Sequence, residues 1–307
     1  MSVENYKYAP YQFGAYLKEI APFRESTPSS FFFRSVNDLP DNSIFLLDAA
    51  GGNGKRYGSG LLYLSKTPNH RLSYVINDLV PESLREFNAE IIPLLPDNTH
   101  YLPHVADLRQ TWSYPDSRFN AVMMTWALHW LGKYHQHAVK EMVRVLKPDG
   151  LGFIATFTPY DVIIKNQVFP KTIPLENLKR MFPEADEIIE SVTSLQGRPV
   201  WIVKFDSSIS DELQKNPDFI IVEKHPASGV GKKTMVGFNP SYLPNLLEKE
   251  GCETILYQRA RNIDFPNGYT EGDRDNTLLY YVFRKKSRLP IVATVEFFSF
   301  RCFMATF

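Results

Sequence analysis

The sequence predicts an α/β protein built on a doubly wound, mostly parallel sheet of seven strands. Short apolar runs and helix-like segments alternate regularly between residues 44 and 157. The apolar runs lack in–out alternation, which is typical of strands that are buried on both faces of a parallel sheet. Polar residues follow the ends of the first three runs, where ligands bind in sheets of this kind.

The elements of this region follow from apolar runs and their boundary residues. Strands are predicted at Ile44–Leu47, Leu72–Ile76, Tyr101–Ala106, Phe119–Met124 and Leu151–Phe157, and helices at Tyr57–Lys66, after Pro81 and at Tyr134–Leu146. Pro81 suits the first turn of a helix, where a missing backbone N–H has no consequence. Pro148 and Gly150 end the last of these helices.

Beyond Phe157 the alternation stops until Asn239. We interpret residues 158–237 as a lid inserted between strand five and the last helix, with short helices at LENLKRMF and ADEIIESV and an exposed basic loop at Gly229–Phe238. NPSYLPNLLEKEG predicts an N-capped helix that ends at Gly251, the usual C-cap residue. CETILYQRA and TLLYYVFRK then predict an antiparallel strand pair.

Composition and charge exclude several classes of protein. The 307 residues carry zero formal net charge, which argues against a general nucleic-acid binder. Cys252 and Cys302 are the two cysteines, without a Cys/His cluster, so we expect neither a disulfide framework nor a metal site. The first residues do not form a signal peptide and no apolar run reaches membrane-spanning length, so we expect a cytoplasmic protein. The apolar tail, residues 286–307, is a candidate interface between subunits.

The stretch DAAGGNG, Asp48–Gly54, directly follows the first predicted strand. Three glycines there indicate a backbone that a ligand approaches closely. A phosphate-binding P-loop is rejected because Arg56 stands where a Ser or Thr must meet the metal. A dinucleotide fingerprint is weakened because Tyr57 replaces its third glycine, although Asp78 would fit the ribose contact of that interpretation.

DAAGGNG also resembles the D-x-G-x-G-x-G loop of class I S-adenosylmethionine (SAM)-dependent methyltransferases, with Ala50 at the first glycine. Three further features strengthen the resemblance: VINDL ends in Asp78 and Leu79, ADL holds Asp107, and VRVLKPDG is similar to the RVLKPGG turn of that family, with Asp149 in place of a glycine. The resemblance covers residues 40–157 and 238–285. It implies a Rossmann-like SAM-binding core at 41–157 and 238–285, an N-terminal helical lid at 1–40 that includes Tyr6, Tyr8, Tyr11 and Phe13, and a substrate region at 158–237.

The resemblance also implies site residues. Asp48 would lie near the cofactor's ammonium group, Asp78 would bind the ribose hydroxyls, and Asp107 with the Leu108 amide would bind the adenine. The remaining residues that we assign to the cofactor are Ala49, Ala50, Gly51, Gly52, Asn53, Gly54, Leu79, Thr125 and Trp126. Each acid taken alone could be only a cap or turn former; their placement at three successive strand ends favours the site.

ALHWL, Ala127–Leu131, follows the fourth predicted strand and resembles a segment of small-molecule carboxyl methyltransferases. We therefore name His129 and Trp130 as candidate catalytic residues: Trp130 could wall the acceptor or donate its N–H, and His129 could act as a base. Both could equally serve packing. His135 and His137, on the helix that follows, are expected to be solvated.

The function that we expect is methyl transfer from SAM to a small-molecule acceptor, through an oxygen of a carboxylate or a hydroxyl. Three alternatives stay open: a methyltransferase that acts on protein or RNA, a non-catalytic SAM-binding protein, and a nicotinamide enzyme. Zero net charge and the missing NPPY- or DPPY-type motif weigh against base or glutamine N-methylation.

Overall fold

The computed structural model describes residue 23 and residues 27–67, 70–157, 167–181, 185, 187–192, 199–204, 216, 218–224, 233–260 and 278–287. The N-terminal aromatics Tyr6, Tyr8, Tyr11 and Phe13, the tail from residue 288 and Cys302 lie outside these residues. The expectations of an N-terminal lid and of an interface through the tail therefore stay predictions. No helix in the described part of the chain is both long and apolar enough to cross a bilayer.

The predicted rhythm of strands and helices is confirmed, with most bounds shifted by one or two residues. The strands of the main sheet are β1 (Ser43–Ala49), β2 (Arg71–Asp78), β3 (His100–Val105), β4 (Phe119–Thr125), β5 (Leu146–Phe157), β11 (Cys252–Ala260) and β12 (Leu278–Lys285). The helices are α1 (Pro28–Asn37), α2 (Gly58–Ser65), α3 (Pro81–Glu90), α4 (His135–Val145), α5 (Leu175–Met181) and α6 (Tyr242–Lys249).

The main sheet has the strand order β11-β12-β5-β4-β1-β2-β3. Strands β1 to β5 run parallel, whereas β12 lies antiparallel between β5 and β11. The expected antiparallel pair at 252–285 is therefore confirmed. Because β1 and β4 are neighbours, the strand order reverses between them, and the carboxyl ends of these two strands flank the crevice where ligands bind in doubly wound sheets.

A hydrophobic core lies on each face of this sheet. One core joins β-sheet side chains to α4 and α6, with Met142 and Leu243 among its fully buried members. The other joins them to α1, α2 and α3, with Phe33 and Phe87 among its buried members. Every residue of β4 is buried, which is expected of a strand at the centre of a two-sided sheet.

The inserted region differs from the sequence prediction. The helix expected at LENLKRMF is confirmed as α5, but the helix expected at ADEIIESV is wrong, since β7 (Glu187–Val192) is a strand. It belongs to a three-stranded antiparallel sheet with β6 (Gln167–Pro170) and β8 (Pro199–Lys204). Three β-branched residues, Ile188, Ile189 and Val192, favour a strand when partner strands are present. Hydrophobic periodicity in the sequence does not reveal those partner strands.

The basic stretch Gly229–Phe238 was expected to be a loop, and this expectation is wrong for its second half. There, β10 (Lys233–Phe238) pairs antiparallel with β9 (Phe219–Lys224) to form a two-stranded sheet. Residues 229–232 lie outside the described part. Val236 and Phe238 are fully buried in the core that includes α4, because the hairpin docks onto that face of the main sheet.

Candidate active site

The stretch Asp48–Gly54 connects β1 to α2 at the carboxyl edge of the sheet. Ala50, Gly52 and Gly54 have φ angles of 65°, 60° and 70°, so the backbone enters the left-handed region at every second residue. Ala50 adopts this conformation although it carries a side chain. Asp149, the other position where the chain lacks an expected glycine, has a φ of 62°. Both departures therefore keep the backbone shape that a glycine would favour.

Helix α3 contacts one side of this glycine loop. The Asn53 side-chain amide donates to Oε2 of Glu86 at 3.1 Å, and Lys55 forms an ion pair with Glu90 at 2.6 Å. A Cβ on Gly54 would lie 2.4 Å from the Phe87 ring, so no larger residue fits there. A Cβ on Gly52 would meet nothing within 4 Å, so the opposite side of the loop is open.

Asp48 is a buried carboxyl at the end of β1, 1% exposed. The Tyr74 hydroxyl donates to its Oδ2 at 2.8 Å, and its Oδ1 meets no hydrogen-bond donor among the described residues. Burial raises the pKa of Asp48 from 3.8 to about 7, although the bond from Tyr74 opposes the rise. Ala49 beside it is fully buried. A cation placed near Asp48 would offset the cost of burying this carboxylate.

Asp78 ties the end of β2 to the glycine loop. Its Oδ2 accepts the Gly52 N–H and its Oδ1 accepts the Val80 N–H, both at 2.9 Å. Burial raises its pKa, while the bonds from Val80 and Gly52 act in the opposite direction. Leu79, between these two anchors, is half-buried. The carboxylate is thus fixed in place, and each of its oxygens keeps a lone pair that is able to accept a further bond.

Asp107 follows β3 and is bound by Arg109 through both carboxylate oxygens. The Arg109 Nε donates to Oδ1 at 2.8 Å and Nη2 donates to Oδ2 at 2.6 Å. Burial acts to raise the pKa of Asp107, but the bonds and charge of Arg109 outweigh it, so the pKa is lowered. Leu108 is buried, and its carbonyl accepts the Trp112 indole N–H at 3.3 Å.

A cavity of about 140 Å³ lies beside this pair, between the ends of β2 and β3. Asn77, His104, Asp107, Trp112 and Tyr114 contribute to its lining. His104 Nδ1 and the Tyr114 hydroxyl are 2.7 Å apart, within hydrogen-bond distance. The cavity is therefore a polar and aromatic recess next to the acid that the sequence assigns to adenine.

Arg144, in the VRVLKPDG motif, holds the segment that follows Asp107. It donates to the carbonyls of Trp112 and Tyr114, each at 2.9 Å, and pairs with Glu141 at 2.8 Å. Glu141 in turn accepts the Trp112 N–H at 2.7 Å. The guanidinium of Arg144 lowers the pKa of Glu141, so the acid stays ionised at neutral pH. This motif thus positions the loop after β3 from the neighbouring helix α4.

An aromatic wall, defined by Trp126, His129, Trp130 and Phe157, lies at the carboxyl ends of β4 and β5. Trp126 has a φ of 58° and its ring lies 5.2 Å from that of Phe157, measured between centroids. Thr125, the last residue of β4, is buried. His129 has no exposed surface and meets Phe157 edge to face at 4.4 Å, whereas Trp130 is half-buried. Contact between His129 and an acceptor would therefore require the wall to open.

The β9–β10 hairpin anchors on His135, next to this wall. The expectation that His135 is solvated is wrong: it is 2% exposed and surrounded by Phe219, Phe238 and Tyr242. Its Nδ1 is 2.8 Å from the Gly132 carbonyl and its Nε2 is 2.9 Å from the Tyr242 hydroxyl. Burial lowers its pKa, so the imidazole is neutral. The inserted region thus reaches the same end of the sheet as the wall.

Sequence reasoning found the three strand-end acids but missed Tyr74 and Arg109, which bind two of them. It also missed the roles of Glu86 and Arg144, which hold the glycine loop and the segment after Asp107. Glu86 and Glu90 share one face of α3, so their spacing was a usable signal. Tyr74 and Arg109 gave none, because a tyrosine in a strand and an arginine in a loop are ordinary. Among the described residues, no cluster of three or more His, Cys, Asp or Glu is arranged to hold a metal ion.

A sequence family described as a methyltransferase domain matches residues 52–154. This range begins in the glycine loop and ends in β5, and it therefore contains Asp78, Asp107 and the VRVLKPDG motif. The chain carries a class I SAM-dependent methyltransferase domain. The doubly wound seven-stranded fold that the sequence predicts is that of this family, and S-adenosyl-L-methionine is the cofactor that the family uses.

Solved structures support the fold of this methyltransferase domain. A SAM-dependent methyltransferase from Clostridium acetobutylicum is 12% identical with a TM-score of 0.52, covering 93% of this chain and 100% of its own. The CcbJ methyltransferase from Streptomyces caelestis is 11% identical with a TM-score of 0.50, covering 87% and 91%. A structure from Listeria monocytogenes, assigned to the same enzyme class, is 14% identical with a TM-score of 0.52, covering 85% and 99%. No curated protein matches the chain.

Proposed function

We propose that this SAM-dependent methyltransferase transfers a methyl group to an oxygen of a small-molecule acceptor, either a carboxylate or a hydroxyl. The observation that carries the proposal is the aromatic wall beside the glycine loop, with the docked hairpin next to it. Such a wall excludes water and suits a small, planar or apolar acceptor. The zero net charge of the chain gives no general attraction for RNA, which favours this proposal over the alternative of an RNA substrate.

For the cofactor, the donor set of the described residues fits SAM. Asp48 is a buried carboxylate with one oxygen that meets no donor among the described residues, which suits an ammonium group. Asp78 is fixed by two backbone bonds and suits a diol, and the open side of Gly52 leaves room above the loop. We propose that Asp107 and the Leu108 amide bind the adenine ring. The remaining surface of the cofactor site would be lined by Ala49–Gly54, Leu79, Thr125 and Trp126.

When bound, SAM supplies a methyl carbon activated by its positive sulfur. Asp48 and Asp78 would hold the cofactor's amino-acid part and its ribose, and the aromatic wall would align an acceptor oxygen with that methyl carbon. A carboxylate has no proton to lose, whereas a hydroxyl must give one up. We propose His129 as the proton acceptor for a hydroxyl and Trp130 as the side chain that orients the acceptor by its ring and N–H.

Binding of SAM, measured by calorimetry, comes first, and a nicotinamide dinucleotide serves as the competing ligand. Millimolar or weaker SAM binding would contradict the cofactor assignment. Transfer of a labelled methyl group is then screened over small carboxylates, phenols, a protein lysate and total RNA. Transfer only to protein or RNA would replace the proposed acceptor class, and binding without transfer in any arm would indicate a non-catalytic protein.

Variants of the aromatic wall distinguish a role in methyl transfer from a role in packing. Trp130→Ala is expected to bind SAM normally and lose transfer, and Tyr134→Ala, a nearby exposed residue, serves as its control. His129→Asn should retain transfer to a carboxylate and lose transfer to a hydroxyl, because only the hydroxyl needs a base. Equal loss with both acceptors would show that His129 only supports packing.

A further inference from the structure

We propose that Arg56 and Trp126 form a site for a carboxylate carried by the acceptor, which anchors it beside the aromatic wall. This inference rests on the proposed function, because it concerns how that acceptor is recognised. Arg56 follows the glycine loop and precedes α2, and Trp126 follows β4. The two residues therefore come from opposite sides of the crevice at which the strand order reverses.

The guanidinium of Arg56 lies over the Trp126 ring, with its central carbon 4.8 Å from the ring centroid. Contact with an aromatic face limits the rotamers of the Arg56 side chain. A carboxylate binds a guanidinium through the edge, by two parallel N–H···O bonds. A guanidinium that contacts a ring and also binds a carboxylate is chemically compatible, because the group has five N–H donors.

Trp126 supplies a second donor. Its indole Nε1 is buried and meets no acceptor among the described residues. A buried N–H without a partner destabilises the protein, so a partner supplied by a ligand would recover this free energy. The residue also holds a φ of 58°, fixed by its backbone N–H bond to the Ala155 carbonyl at 2.9 Å. Strained backbone at a strand end is characteristic of residues that are positioned for function.

The side chains around Arg56 and Trp126 indicate what the apolar part of the ligand is. The Trp126 ring meets Phe157 at 5.2 Å and the Tyr280 ring at right angles at 5.9 Å. A small aromatic or unsaturated carboxylate would place its apolar part against these rings and its charge on Arg56. Because a bidentate bond to Arg56 withdraws electron density, this carboxylate is an anchor and a different oxygen receives the methyl group.

The methionine part of SAM also carries a carboxylate, so the experiment must distinguish the two sources. Protein saturated with S-adenosylhomocysteine is titrated with benzoate, 3-phenylpropionate and indole-3-acetate, each compared with its primary amide. Binding of S-adenosylhomocysteine is compared with that of 5′-methylthioadenosine, which lacks the amino-acid part. Both series are measured by calorimetry for the wild type, Arg56→Gln, Trp126→Phe and the exposed control Arg85→Gln.

In the wild type we expect at least one carboxylate to bind about tenfold or more tightly than its amide, a difference of ~1.4 kcal/mol. Arg56→Gln should abolish this preference, Trp126→Phe should reduce it, and Arg85→Gln should preserve it. The affinity for S-adenosylhomocysteine should be the same in the wild type, Arg56→Gln and Arg85→Gln. Unchanged melting temperatures would show that the variants fold.

Two results would overturn the inference. No preference for any carboxylate in the wild type would show that the pair does not bind acceptor anions. Weaker binding of S-adenosylhomocysteine by Arg56→Gln, with 5′-methylthioadenosine unaffected, would assign Arg56 to the methionine carboxylate instead. If the wild type binds no S-adenosylhomocysteine at all, the proposed function fails first and the inference falls with it.

Discussion

The Tyr74 hydroxyl donates a hydrogen bond of 2.8 Å to Oδ2 of Asp48, from one strand of the sheet to its neighbour. This single bond offsets only part of the free-energy cost of burying the carboxylate, because one neutral donor replaces several water molecules. Asp48 consequently has a pKa raised to about 7. The most buried acid of the site thus reduces the stability of the protein without ligand, in a position that suits a cationic group.

The first prediction concerns Asp48→Asn. A carboxyl whose folded pKa lies above its unfolded value of 3.8 destabilises the protein as pH rises from 3.8 to about 7. The asparagine side chain carries no such charge. The variant should therefore be more stable than the wild type at pH 8, by a few kcal/mol of unfolding free energy at most, and about as stable as the wild type at pH 4. It should also bind SAM at least about tenfold more weakly, since the attraction for an ammonium group is lost.

Thermal unfolding followed by calorimetry at pH 4 and pH 8 measures the stability of both proteins. A second measurement concerns the protons released when SAM binds, obtained from titrations in buffers of different ionisation enthalpy. A cation near Asp48 lowers its pKa, so SAM binding at pH 6.5 should release protons in the wild type and fewer in the variant. An equal gain in melting temperature at pH 4 and pH 8 would contradict the role of the raised pKa.

The second prediction concerns Asp78, which holds Gly52 and Val80. Asp78→Ala should lose most of the SAM affinity, because a charged acceptor and the loop anchor both disappear. Asp78→Asn, which keeps one carbonyl oxygen, should lose less. Glu82→Gln, an exposed acid at the start of the helix that follows, is the control. Unchanged affinity in Asp78→Ala would mean that Asp78 does not contact the ribose.

The third prediction concerns the two non-glycine residues with positive φ that stand at glycine positions of the family pattern. Ala50→Gly should raise the free energy of unfolding by about 0.5–1 kcal/mol, because the left-handed conformation strains any side chain with a Cβ. Asp149→Gly should gain less, since Asp tolerates this region better and also hydrogen-bonds Ser287. Denaturant unfolding of both variants, with Ala49→Gly as a destabilised comparison, measures the difference. A larger gain at Asp149 would refute the strain argument.

The fourth prediction concerns Arg144, which is placed in the VRVLKPDG motif and reaches the loop after β3. Arg144→Met should lower the unfolding free energy by about 2 kcal/mol, because the Trp112 and Tyr114 carbonyls and Glu141 lose a charged donor. It should also weaken SAM binding several-fold by releasing the segment that follows Asp107. Hydrogen exchange over residues 106–118 should increase in this variant.

Lys140→Met, which removes an exposed lysine of the same helix, is the control for Arg144→Met. The pH dependence gives a separate check. The lowered pKa of Glu141 stabilises the protein above pH 4.5, and this stability is lost as pH falls through the folded pKa. The difference between wild type and Arg144→Met should therefore shrink in acid. A difference that is constant from pH 7 to pH 3 would exclude the ion pair as its source.

Sequence patterns predicted the elements and site residues that depend on short stretches of the chain. Apolar runs predicted β1, β2, β4 and β5 because these strands lie inside the sheet, where most side chains are buried. The run that predicted β3 also formed a strand, but at the edge of the sheet, where Tyr101, Leu102 and Val105 are exposed. The three acids at strand ends were found because parallel strands bring their carboxyl ends to one edge. The helix predicted at ADEIIESV, residues 185–192, was wrong because the periodicity of so few residues fits a helix and a strand equally, and only pairing with β8 selects the strand.

The sequence by itself determined the doubly wound sheet, the glycine loop and the order of the acids, since these depend on hydrophobic periodicity and on glycine's backbone freedom. The tertiary structure decided which partners each acid has: Tyr74 for Asp48, the Gly52 amide for Asp78 and Arg109 for Asp107. It also decided that His135 is buried and that Arg56 lies on Trp126. Apart from Arg109, which lies two residues from Asp107 in the same loop, these contacts join residues from different strands, loops and helices. Side-chain burial and pKa depend on that assembly.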